Sequence, residues 1–130
     1  MKSVVHRSLS VACALAIVLG TLPAPAQSFK QSAEFVFVAN QSSNNLSSYQ
    51  MESNGALLQV SGSPFSAGSS PNSVTVVPSG VFAYVADVFP GGVTGFKVVQ
   101  NGTVSPLFGS PFAAPTGTVF VTTDPGGRFL

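Results

Sequence analysis

The chain has 130 residues, 45% of them hydrophobic and 7% charged, with a formal net charge of +1. The usual charged share is about 25%, and Lys and Arg form no cluster, which excludes nucleic acid or an anionic surface as a partner held by charge. A single cysteine, Cys13, excludes an intrachain disulfide.

Lys2, His6 and Arg7 precede an apolar run from Leu9 to Leu22, and Ala24-Pro25-Ala26 follows it. That layout predicts a signal-peptide helix over residues 1–26, cleaved after Ala26. A retained anchor is the rival reading, but the run is short for a span of about 20 residues and is broken by Gly20 and Pro23. Cleavage removes Cys13 and the one histidine and leaves about 104 residues. The remaining ionisable set is Lys30, Lys97 and Arg128 against Glu34, Glu52, Asp87 and Asp124, a net charge of about −1 on the formal count. The expected localisation is secreted or periplasmic, with no membrane contact after cleavage. Residues 27–33 read as a short linker.

From residue 34 onward the chain repeats itself. Phe35, Phe82 and Phe129 stand 47 residues apart. The same interval separates Asn54-Gly55 from Asn101-Gly102, Gly62-Ser63-Pro64-Phe65 from Gly109-Ser110-Pro111-Phe112, Pro78 from Pro125, and Gly80 from Gly127. Turn formers and apolar positions are what a repeated structural unit must keep. The units are 34–80 and 81–127, with a third beginning at 128.

In chain order, Phe35–Ala39 is a predicted strand, followed by Leu46–Met51 and a short return after Asn54-Gly55. Ser73–Val77 is β-branched and ends at Pro78-Ser79-Gly80, after which Val81–Ala86 and Val93–Val99 repeat the first two strands. Asn101-Gly102 predicts a tight hairpin with two consecutive positive-φ residues, returning as Thr103–Phe108. The Gly-Ser-Pro-Phe elements are expected to carry the chain out of one sheet towards the next, since proline cannot serve a central ladder. An inner strand of the third unit is expected at about 119–123. No segment after residue 27 has helical periodicity.

Four short antiparallel strands per period of about 40–50 residues is the pattern of a β-propeller blade. The predicted fold class is therefore all-β: an incomplete β-propeller of about two four-stranded antiparallel blades over 34–130. Rings of this kind have roughly 4–8 blades, so two leave blade faces and strand edges uncovered and predict self-association or poor solubility. The final Arg128-Phe129-Leu130 falls inside the next predicted strand, the mark expected of an N-terminal fragment whose partners are the remaining blades of a parent ring.

Phe35-Val36-Phe37-Val38-Ala39-Asn40, Phe82-Ala83-Tyr84-Val85-Ala86-Asp87, Asn54-Gly55-Ala56-Leu57, the twin Gly-Ser-Pro-Phe elements and Pro78-Ser79-Gly80 with Pro125-Gly126-Gly127 resemble the lactonase-like, seven-bladed propellers related to bacterial 6-phosphogluconolactonase. The resemblance covers nearly all of the chain after the leader and corresponds to the first two of seven blades. It implies a parent that hydrolyses a lactone or sugar-acid ester. The alternative is a non-catalytic secreted propeller that binds a small-molecule or protein ligand through loops at one ring face, since these motifs are scaffold residues.

Lactone opening needs a general base and an oxyanion donor. The chain after the leader offers no histidine, one arginine and four carboxylates, none of which matches a catalytic motif of the family. No catalytic, cofactor-binding or metal-ligating residue is assigned, no cofactor is implied, and the chain alone is expected to be inactive. Asn40 and Asp87 end equivalent strands, where they would either coordinate an ion or substrate or bond their own backbone at a turn. Asp124, before Pro125, reads as a turn starter, and Glu34 and Glu52 as solvated surface. Pro90-Gly91-Gly92-Val93-Thr94-Gly95 is glycine-rich but lacks the Lys-Ser/Thr of a phosphate loop. Asn40, Asn45 and Asn101 begin glycosylation sequons. Phe65 and Phe112 are either recognition aromatics or wedges between neighbouring blades.

Overall fold

The computed structural model describes residues 34–130, so the predicted signal-peptide helix and linker lie outside the described residues. The described chain is all-β, built of two antiparallel sheets. The first runs β1 (Glu34–Asn40), β2 (Asn45–Met51) and β3 (Leu57–Gln59), with β4 (Phe65–Ser66) also paired to β2. The second runs β5 (Pro71–Val76), β6 (Phe82–Asp87), β7 (Gly92–Val98) and β8 (Val104–Pro106), with β9 (Phe112–Ala113) paired to β7. Among the described residues the helical content is one 3-10 turn, Gln41–Ser43. No helix there is long and apolar enough to cross a membrane.

The sheets are copies in backbone as well as in sequence. Among the described residues the ten with positive φ form five pairs, each 47 residues apart: Asn44 with Gly91, Gly55 with Gly102, Gly62 with Gly109, Ser70 with Gly117, and Gly80 with Gly127. Ser63-Pro64 and Ser110-Pro111 are both cis. The Ser48 N–H donates to Ser63 Oγ at 2.8 Å and the Gly95 N–H to Ser110 Oγ at 2.9 Å, which fixes each Gly-Ser-Pro loop against the middle strand of its own sheet.

Three local expectations are corrected. The Asn101-Gly102 turn has positive φ at Gly102 alone. Its bonds, Gly102 N–H to Val99 O and Val99 N–H to Thr103 O, are those of a turn closed by a glycine bulge. Asn101, third in that turn, keeps an ordinary φ, and its Oδ1 accepts from the Thr103 N–H beyond the glycine. Second, Gly-Ser-Pro-Phe does not leave the sheet. The outer strand loops out at proline, which has no N–H to offer the ladder, and resumes at Phe65 beside Leu46 and at Phe112 beside Val93. Third, residues 119–123 are not a strand, although Val121 N–H donates to Ser73 Oγ and Asn72 Nδ2 to Val119 O. A strand is defined by its ladder, and this segment has no partner strand.

The core lies between the sheets. Leu46 of the first meets Ala83, Val85, Phe96 and Val104 of the second, all buried, with Phe37, Phe65 and Val74 packed around them. Burying a side chain such as Phe96 or Leu46 contributes about 1.5–3 kcal/mol. The seam closes where the β7–β8 hairpin tip reaches the first sheet: Ser48 Oγ donates to Gly102 O at 2.7 Å. A Cβ on Gly102 would collide with the Phe35 ring and Val60.

Candidate functional site

Polar groups concentrate at the β1–β2 and β6–β7 turns. In the second sheet Asp87 is 2% exposed, and its Oδ2 accepts from Thr94 Oγ1 at 2.6 Å. Oδ1 has no hydrogen-bond partner. Burial raises the carboxyl above its usual range, against the opposing effect of the bonds to Thr94. The chain itself closes the site, for a Cβ on Gly68 would overlap the Asp87 carboxyl.

In the first sheet the same place holds an amide. Asn40 Nδ2 donates to Asn45 Oδ1 at 2.7 Å and to Ser47 Oγ at 2.8 Å. Neither Asn40 nor Asp87 bonds its own backbone as a turn residue would. Each reaches across its hairpin to a hydroxyl seven residues on. Alternation explains the reach: Val38↔Ser47 and Val85↔Thr94 are direct pairs, and residues two apart share a face of the strand. Sequence reasoning found Asn40 and Asp87 but missed Ser47 and Thr94. The signal was a hydroxyl residue kept 47 residues apart, Ser47 and Thr94, each seven residues after the polar residue that ends the preceding strand.

The other candidates are scattered. Glu34 is exposed and Glu52 half-buried. Asp124 is the turn starter expected: its carboxylate accepts from the N–H groups of Gly126, Arg128 and Phe129 and pairs with Arg128 at 3.4 Å. These bonds, that from Phe129 foremost, hold its carboxyl below the usual range. The glycine-rich loop faces its own chain. Thr116 Oγ1 donates to Pro90 O, and a Cβ on Gly91 would strike Pro115, so the space a phosphate would need is filled by backbone. Among the described residues no three His, Cys, Asp or Glu side chains gather as a metal site would require.

Apolar side chains covered in one sheet have exposed counterparts in the other. Phe65 packs into the core between the sheets, whereas Phe112, its counterpart, is 40% exposed. Phe82, the counterpart of Phe35, is 36% exposed. At the opposite flank Leu57 is 49% exposed while its counterpart Val104 is 8% exposed. Nothing lies within 4 Å of a Cβ built on Gly55.

No protein-family model matches the chain, and no curated protein does. Among solved structures it is similar to a functionally unknown protein from Desulfotomaculum acetoxidans DSM 771, with a TM-score of 0.57 and 19% identity. The match covers 75% of this chain and 33% of that one, so the chain spans about a third of that structure's length. The likeness is one of fold.

Proposed function

We propose that residues 34–130 are two consecutive blades, and the beginning of a third, of an exported lactonase-like β-propeller, and that they serve it as scaffold. In this reading they seat neighbouring blades and supply no acid–base chemistry to the hydrolysis of a lactone or sugar-acid ester by the complete ring. One observation carries it. The Gly102 hairpin of one sheet is buried on Phe35, Val60 and Ser48 of the other, and at the two outer flanks Leu57 of the equivalent hairpin and Phe82, the counterpart of Phe35, are exposed. A repeat that buries the same contact at each step needs a further sheet at each end.

The chemistry of the ionisable groups agrees. Asp87 is sealed under Gly68, Asp124 is spent on its own turn, and Glu34 and Glu52 stand apart. Incubating the purified chain with a simple sugar lactone should give hydrolysis at the uncatalysed rate. Turnover that disappears in Glu52→Gln or Asp87→Asn would overturn the scaffold assignment.

A further inference from the structure

We infer that residues 67–70, the stretch joining β4 of the first sheet to β5 of the second, are a pH-gated lid over the Asp87 carboxyl, closed while that carboxyl carries its proton and released when it loses it. The lid lies directly on the acid. A Cβ on Gly68 would overlap Cγ and both oxygens of Asp87. Gly68 is not among the glycines of positive φ, so the contact, and not the backbone, calls for glycine there. Beneath it only Oδ2 is engaged, by the Thr94 hydroxyl, and no protein donor reaches Oδ1.

No counter-charge stands beside this carboxyl among the described residues. The lid, β5 and the turn 88–91 carry no ionisable side chain, and on β6 itself Tyr84 alternates to the other face. Lys97 of β7 pairs with Phe82 at the far end of β6, and Arg128 is held by Asp124. In the first sheet Glu34 and Glu52 stand at the end opposite Asn44, where the lid is tied. An ionised Asp87 under the closed lid is therefore a buried carboxylate with one hydrogen bond and no cation, a state that water would relieve. Burial favours the protonated form in the same sense.

The lid can lift because it is held unequally on its two sides. Towards the first sheet, Ala67 N–H donates to Asn44 O at 3.1 Å and Ser70 N–H to Asn44 Oδ1 at 2.8 Å. Towards the second, Ser70 O accepts from Val88 N–H at 3.2 Å and Ser69 O from Phe89 N–H at 3.4 Å, long for bonds of this kind. Ser70 also sits at a φ of 54°, a conformation that costs a residue other than glycine. Lifting residues 68–70 breaks the two long bonds, admits water to Oδ1 and leaves the β5–β6 ladder in place, so the opening is local. By linkage, the closed lid binds the Asp87 proton more tightly than the open one. Closure is thus favoured in full below the ordinary carboxylate value and weakens as pH rises through the raised value. The equivalent Asn40, an amide that donates twice, has no proton to lose in this range.

Amide hydrogen exchange on the full chain tests this, with rates expressed as protection so that the ordinary pH dependence of exchange cancels. Protection at Val88 and Phe89 should fall about tenfold from acid to neutral pH, with a shallow urea dependence that marks a small opening. Val77 and Val98, bonded at the other end of the same sheet, should show the steep urea dependence of global unfolding. Asp87→Asn should remove the pH dependence at Val88 and Phe89. Gly68→Ala, which leaves the acid intact but holds the lid off it, should return the Asp87 carboxyl, followed by its carbon shift, to titration in the ordinary range. Three results each overturn the inference: a wild-type Asp87 that already titrates in the ordinary range, protection at Val88 and Phe89 indifferent to pH, or a loss there as steep in urea as at Val98. The first needs no variant, so it decides even if neither substitution folds.

Discussion

At Gly102 a hairpin tip is pressed against Phe35 and Val60, whereas at Gly55 the same tip, with nearly the same φ (81° against 84°), has nothing within 4 Å. The hairpins share their Asn-Gly sequence and their bonds: Gly55 N–H to Glu52 O at 2.9 Å, and Gly102 N–H to Val99 O at 2.8 Å. Local sequence therefore sets the turn, and the neighbouring sheet sets what the turn is worth. Leu57 and Val104 make the same point one strand later, exposed in one copy and buried in the other. A repeat unit of this kind is half of an interface at every position, and its stability is shared with whatever stands beside it.

The sharpest way to break that comparison is to add one methyl group to each tip. Gly55→Ala meets only the strain of a left-handed φ, about 1–2 kcal/mol. Gly102→Ala meets the same strain and overpacks the seam against Phe35, a further cost of about 1–3 kcal/mol. Urea denaturation should give a total loss of about 2–5 kcal/mol for Gly102→Ala and the smaller figure for Gly55→Ala. Equal losses would mean that the seam contributes nothing and that the sheets are independent.

The Asn40 and Asp87 positions offer a second contrast, between a neutral amide and a buried acid. Burial raises the Asp87 carboxyl, so the folded chain holds that proton more tightly than the unfolded one. Its contribution is then fully present below the ordinary carboxylate value and is lost as pH rises through the raised folded value. Asp87→Asn, which gives the second sheet the residue of the first, should stabilise the chain at pH 7 by about 1 kcal/mol, at the lower end of the cost of an unsatisfied buried group. It should also flatten the decline between acid and neutral pH. A variant with an unchanged pH profile would show that Asp87 is not the group responsible.

The strands were legible because their residues alternate and their turn formers recur: β1, β2, β6 and β7 fall within a residue or so of the segments read from Phe35, Leu46, Val81 and Val93. Other features were hidden for physical reasons. The recurrent positive-φ sites at Asn44 and Gly91, and at Ser70 and Gly117, join residues of different type, so identity does not reveal them. The loop-out at Pro64 and Pro111 depends on Ser63 and Ser110 hydroxyls reaching backbone 15 residues away, a tertiary bond that no local pattern announces. The Asn40–Ser47 and Asp87–Thr94 links are cross-strand pairs, visible only once register is known. Candidate site residues were easiest to find where they act on their own neighbourhood, as Asp124 does.

Asp124 supplies the finest contrast, because its turn has a twin without a carboxylate. Val77 and Asp124 are equivalent. Gly80 N–H donates to Val77 O at 2.8 Å and Gly127 N–H to Asp124 O at 2.9 Å, so the two turns share their backbone. Only the later one adds side-chain bonds, from Phe129, Arg128 and Gly126, and these lower its carboxyl. A depressed carboxyl contributes above its unfolded value and loses that contribution as pH falls through the folded one. The group is half-buried and its bonds all lie within its own turn, so the loss is confined to the turn. Amide shifts of Arg128 and Phe129 should therefore titrate together below the ordinary carboxylate range, with Gly80 and Phe82 flat, and Asp124→Asn should abolish the titration. Were Gly80 to titrate alongside them, the change would belong to the whole sheet, and the two turns would be coupled through the seam between residues 77–78 and Gly127, where a Cβ would stand 3.0 Å from Pro78.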